Sequence, residues 1–166
     1  MNKLFDELAE TFNRLGIVYD ELLETAKTKQ QCLVSGNIEK LEMLLYQEKN
    51  QVEIAQLLEE KRQNILWRYC KKHHVTGINI TMKSMMNKMD TSYREKISKQ
   101  IDKLTHSIEQ LHEVNQSNAT LTHYSLEITE DIIKIFYPPA FQYPAYWYTG
   151  KIRKNELPMV LVDTEL

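Results

Sequence analysis

The stretch Cys32-Leu33-Val34-Ser35-Gly36-Asn37-Ile38-Glu39-Lys40-Leu41 decides the fold. Gly36 can take the left-handed conformation that closes a helix, and Asn37 has the short polar side chain that caps the next one. Ser35-Gly36-Asn37 therefore reads as a tight helix–helix turn. On its N-terminal side Leu4, Leu8, Phe12, Leu15, Tyr19, Leu22 and Ala26 recur in steps of three or four, one apolar stripe on a helix over residues 3–34. On its C-terminal side Ile38, Leu41, Leu45, Val52, Ala55, Leu58, Ile65 and Tyr69 draw a second stripe over 38–73. Gly16 weakens the first helix by about 1 kcal/mol relative to alanine, too little to end it. Two stripes joined by so short a turn must face each other, with opposed residues whose numbers sum to about 72. Glu48 and Arg62 interrupt the second stripe and are expected to ion-pair across the seam from partly buried stems.

Working outward, residues 77–80 break the pattern. Thr81 then caps a short helix over 82–89, whose Met82, Met85, Met86 and Met89 suit the filling of irregular core gaps. Asp90 or Ser92 starts a third long helix, over 93–136, with Glu95 placed for a capping box with Ser92. That helix rises roughly 65 Å. Ile97, Ile101, Leu104, Ile108 and Leu111 give it a heptad seam, which turns polar at Asn115, Asn118, Thr122 and Ser125. Leu121, Ile128, Ile132 and Ile135 follow in a shifted register, as after a stutter. An asparagine in such a seam fixes register at some cost in stability. The fold expected is all-α: a long antiparallel bundle or coiled coil of three long helices plus a short one over 1–136. Most of its stability comes from burial of the stripes on one another.

No proline occurs between Phe5 and Phe136, whereas residues 137–166 form an irregular tail. Tyr137, Phe141, Tyr143, Tyr146, Trp147 and Tyr148 lie there among Pro138, Pro139 and Pro144. The prolines stop the helix and favour extended backbone. The tail could stack nucleic-acid bases, fold back as a lid over the bundle, or dock a partner and order on binding. Only Lys151, Arg153 and Lys154 offer charge for the first reading, and a strand binder needs a basic groove along its whole site. Tyr and Trp give large contact area at low entropy cost, which suits the third.

Bulk properties narrow the classes further. A formal net charge of -2 provides no field that favours nucleic acid or an anionic membrane. No apolar run approaches the roughly 18 residues of a membrane span. The N-terminus, Met1 to Glu7, is acidic and amphipathic, unlike a secretory signal, so the expected location is the cytoplasm. Within the hairpin Cys32 and Cys70 would lie roughly 45 Å apart, beyond disulfide reach. Glu109-x-x-His112 is half of a di-iron helix motif whose other half is missing, so no metal or other cofactor is expected. His74 and His106 lack the lysine expected near a phospho-acceptor histidine. No phosphate loop or nucleophile elbow occurs, so no catalytic residue is assigned.

The segment Leu111-His112-Glu113-Val114-Asn115-Gln116-Ser117-Asn118-Ala119-Thr120-Leu121 resembles the Asn-x-x-Asn-x-x-Leu signature of the FlgN family of flagellar export chaperones. The Gly36-Asn37 hairpin turn, the Glu59 to Arg62 end of the second helix, and the Tyr146-Trp147-Tyr148-Thr149-Gly150 tail are similar to that family too, over residues 3–151. The resemblance implies a non-enzymatic type III secretion chaperone. It would bind hook–filament junction subunits through their C-terminal helices, prevent premature assembly and present them to the export gate. It places cargo binding on Asn115, Asn118, Leu121, Ile128, Ile132, Ile135, Phe136 and Phe141, with Tyr146 at the export gate. The residues themselves leave two rivals: a coiled-coil adaptor that self-assembles into a homo-oligomer through the same stripes, and a signalling bundle.

Overall fold

The computed structural model describes residues 2–73, 82–87 and 89–136. It contains four helices, α1 (Asn2–Ser35), α2 (Ile38–His73), α3 (Met82–Met86) and α4 (Thr91–Phe136), and no strand among the described residues. The chain divides into two compact units, Met1–Leu121 and Thr122–Leu166. The tail expected over 137–166 lies outside the described residues.

The turn forms as its residues dictate. Gly36 sits at φ 69°, where a Cβ is strained, and the Asn37 N–H donates to the Cys32 carbonyl at 3.1 Å, closing α1 with a Schellman bond. Asn37 Oδ1 then accepts the Lys40 N–H at 3.0 Å, which caps α2. The hairpin this makes is antiparallel as expected and pairs Phe5 with Tyr69, Glu7 with Arg68, Thr25 with Gln51 and Lys29 with Glu48, so opposed residue numbers sum to 74–77 rather than about 72. Leu8, Phe12, Leu15, Leu22 and Ala26 of α1 are buried as the stripe requires. Each of the leucines and Phe12 contributes about 1.5–3 kcal/mol on burial. Cys32 is buried, Cys70 half-buried, and both are free thiols.

The inner face of α2 differs from the expected one. Ala55, Leu58, Ile65 and Tyr69 are buried, but Ile38, Leu45 and Val52 are exposed, and their neighbours Leu44 and Gln51 point inward. Helical spacing alone cannot choose between adjacent residues. Here the choice is made by Thr25, whose buried hydroxyl donates to Gln51 Oε1 at 3.1 Å and so satisfies a polar side chain in the core. Glu48 bridges to Lys29 of α1 through both carboxylate oxygens at 2.7 Å, across the seam as expected. Arg62 instead pairs with Glu59 one turn away on its own helix, at 2.6 Å.

Up to Leu121, α4 runs parallel to α1. Tyr93 Oη donates to Asp6 at 2.7 Å, Lys103 and Ser107 both reach Asp20 at 2.6 Å, and Gln30 donates to Ser117 at 2.8 Å. Ile97, Leu104, Leu111 and Asn118 recur every seven residues on the inward side, half-buried at Leu111 and buried at the other three. Ser107 is buried where Ile108 was expected, because its hydroxyl is bound to Asp20. With Ser107 and Asn118 as inward residues the steps of three and four continue to Leu121 unbroken. Thr122 is exposed, and no stutter interrupts the seam up to Leu121.

Where the chain enters α4, Phe5 lies 6.3 Å from the Tyr69 ring and 6.0 Å from the Tyr93 ring, over buried Met85 and Met89. Those methionines fill the core end, as their chemistry suggests. The Asp90 carbonyl accepts the Arg94 N–H at 3.0 Å and α4 begins at Thr91. Ser92 and Glu95 are therefore the second and fifth residues of the helix, not its N-cap and third, and do not form the expected capping box. The Arg94 guanidinium donates to the carbonyls of Met86 (3.1 Å), Asn87 (3.2 Å) and Met89 (3.4 Å), which fastens this reversal.

Candidate functional site

Beyond Leu121, α4 carries Ser125, Ile128, Ile132 and Ile135 at steps of three and four. The apolar side chains here are open: Ile128 is 60% exposed, Ile132 49%, Ile135 71% and Phe136 73%. Isolated exposed hydrophobics are ordinary, but a row of them at steps of three and four is a helix-sized apolar strip. Tyr124, exposed and four residues before Ile128, belongs to it and was not singled out from the sequence, although its spacing would have allowed it. Leu126 and Ile133, seven residues apart on another side of the helix, are also exposed.

The rest of this segment is polar and internally paired. His123 lies 3.5 Å from Glu127, and Lys134 lies 3.0 Å from Asp131 and 3.9 Å from Glu130. The Asp131 hydrogen bond holds the Lys134 ammonium above its ordinary value. Charges confined to one side leave the strip itself without formal charge, an amphipathic pattern.

The two asparagines occupy a different setting. Asn118 is buried, and its Nδ2 donates to the Ala26 carbonyl on α1 at 2.9 Å. Asn115 is half-buried and lines a groove with Tyr19 and Leu22 of α1, Val52 and Ala55 of α2, and Leu111. Its Oδ1 is buried without a hydrogen-bond partner among the described residues. Glu48, Glu59 and Glu60 rim that groove, and Arg62 keeps the Glu59 carboxyl below the usual range. Leu121, half-buried, is the step between the covered seam and the open strip. Ile128, Ile132, Ile135 and Phe136 are exposed along one stretch of helix, while Asn118 is buried and Asn115 half-buried in the bundle. Phe141 and Tyr146 lie outside the described residues.

His106, Glu109 and His112 are exposed on α4, and among the described residues no group of three or more His, Cys, Asp or Glu is placed to hold a metal. Among the same residues no helix is long and apolar enough to cross a membrane.

The described residues make an all-helical bundle whose last helix carries an open apolar strip. The sequence gives the family. The family model described as FlgN protein matches residues 1–154, and the chain belongs to the FlgN family. This is a family of flagellar export chaperones known to bind hook-associated proteins. No curated protein and no solved structure matches the chain.

Proposed function

We propose that this protein is a cytoplasmic secretion chaperone for flagellar hook–filament junction subunits. It takes the amphipathic C-terminal helix of a subunit along the α4 strip, with Leu121, Ile128, Ile132, Ile135 and Phe136 forming the receiving face and Phe141 of the tail adding to it. Asn118 acts at one remove, holding α4 in register on α1, while Asn115 offers a carbonyl at the edge of the groove. Covering the subunit's helix keeps it from pairing with its neighbours before export. Tyr146 then presents the loaded chaperone to the export gate.

The observation that carries this reading is the open strip. The docking mode is helix-in-groove, with anchors at three- and four-residue spacing. The test is calorimetric titration of the full chain with the C-terminal segment of a junction subunit, beside the same titration of a chain ending at Tyr137. Binding by the full chain, lost on truncation while the thermal midpoint is kept, supports the reading. Absence of binding by the full chain at high micromolar concentration refutes it.

A further inference from the structure

A second apolar row lies on α2 and shares no residue with the α4 strip. Met43, Tyr46 and Leu57 are each more than 60% exposed, Ile54 is 44% exposed, and Asn50 between them is exposed too. With Glu39 and Lys61 these residues fall within an arc of about 80°, turned about 100° from the buried face of Leu44, Ala55, Leu58 and Ile65.

The spacing of this row is a palindrome. Counted from Asn50, the apolar side chains stand four residues away on each side (Tyr46 and Ile54) and seven residues away on each side (Met43 and Leu57). Eleven residues away stand opposite charges, Glu39 and Lys61, neither of them in an ion pair among the described residues. A face with this symmetry complements itself under a two-fold rotation, and a second copy is the occupant that matches every position at once.

We infer that α2 pairs antiparallel with α2 of a second copy about an axis through Asn50. Met43 meets Leu57 of the other copy, Tyr46 meets Ile54, and Glu39 meets Lys61 at both ends. The two Asn50 amides face each other at the axis, where each donates to the other's carbonyl, so the polar residue sets register as it does in a coiled-coil seam. The contact is isologous and closes as a dimer, so it does not propagate into filaments. It uses no residue of the α4 strip and stands whether or not the chaperone reading does.

An interface of one helix per copy belongs to the small, transient class, below about 1,200 Å². The expected dissociation constant is on the order of 10–100 µM. The experiment is sedimentation equilibrium of the full chain across that range. Glu39→Lys alone, or Lys61→Glu alone, places like charges at both ends and should weaken the dimer roughly tenfold. Glu39→Lys with Lys61→Glu in one chain should restore it, and a mixture of the two single variants should dimerise as the unaltered chain does. In a Cys70→Ser background Asn50→Cys should form a disulfide-linked dimer on oxidation, and Gln56→Cys should not. A chain that stays monomeric throughout, a double variant as weak as the singles, equal cross-linking at both positions, or loss of the dimer on Ile128→Asp would each overturn the inference.

Discussion

Replacing Ile128 or Ile132 with aspartate separates cargo binding from folding. The two side chains are 60% and 49% exposed, so about half of each isoleucine's burial remains to be gained from a partner. Full burial is worth about 1.5–3 kcal/mol, which puts that remaining half at about 1–1.5 kcal/mol per side chain. A carboxylate facing an apolar helix adds a desolvation cost of about 1–3 kcal/mol. Each substitution should therefore weaken cargo binding by about 2–4 kcal/mol, or roughly 30- to 1,000-fold in Kd. The folding cost should stay below about 0.5 kcal/mol, since only intrinsic helix propensity changes. Ile97, fully buried in the same phase of the same helix, is the reference. Ile97→Ala should cost about 2–4 kcal/mol of stability. Calorimetric titration gives the first quantity and circular dichroism melting the second. If Ile128→Asp and Ile132→Asp leave Kd within threefold, the strip does not receive cargo. If either destabilises the protein as much as Ile97→Ala does, the strip is covered by the chain itself.

Three further outcomes follow from particular contacts. Asn118→Ala removes the bond to the Ala26 carbonyl and should cost about 1–2 kcal/mol in a denaturant titration, whereas Asn118→Leu should match or exceed the parent in stability while loosening α4 register, visible as broadened amide spectra. Gly36→Ala, at φ 69°, should destabilise by about 1 kcal/mol, while Gly16→Ala, with open space at its Cβ inside α1, should stabilise by about 0.5–1 kcal/mol, both read as shifts in thermal midpoint. Lys103, and after it Ser107, hold the Asp20 carboxyl below its usual range, so its contribution is complete above roughly pH 5 and is lost as pH falls through the depressed folded value. Stability measured from pH 5 to pH 2 should thus fall less steeply in Asp20→Asn than in the parent, the difference staying under about 1 kcal/mol because the pair is solvent-accessible.

Most of the scaffold could be read from residue order. The bounds of α2 and the Gly36-Asn37 turn follow from caps and periodicity, signals confined to a few neighbouring residues. What failed was the choice between adjacent positions. Leu44 or Leu45, Gln51 or Val52, and Ser107 or Ile108 fit a 3.6-residue repeat almost equally well. The tie is broken across the bundle by Thr25 and Asp20, some 20 to 90 residues distant in sequence. A rule that sends apolar side chains inward chooses wrongly where a polar one finds a buried partner. Asn118, read as a polar member of the seam, does occupy the inward position. On the candidate site, the row Ile128, Ile132 and Ile135 was legible because its spacing is periodic. That it is open required knowing where the hairpin's cover ends.

Arg94 gathers three backbone oxygens with a single cationic group. Uncharged acceptors respond weakly to added electrolyte, unlike the carboxylates of Glu7 and Asp20 that tie α1 to its neighbours at the surface. Concentrated salt should therefore slacken the outer ties between helices first, while the corner through which the polypeptide enters its longest helix keeps its shape.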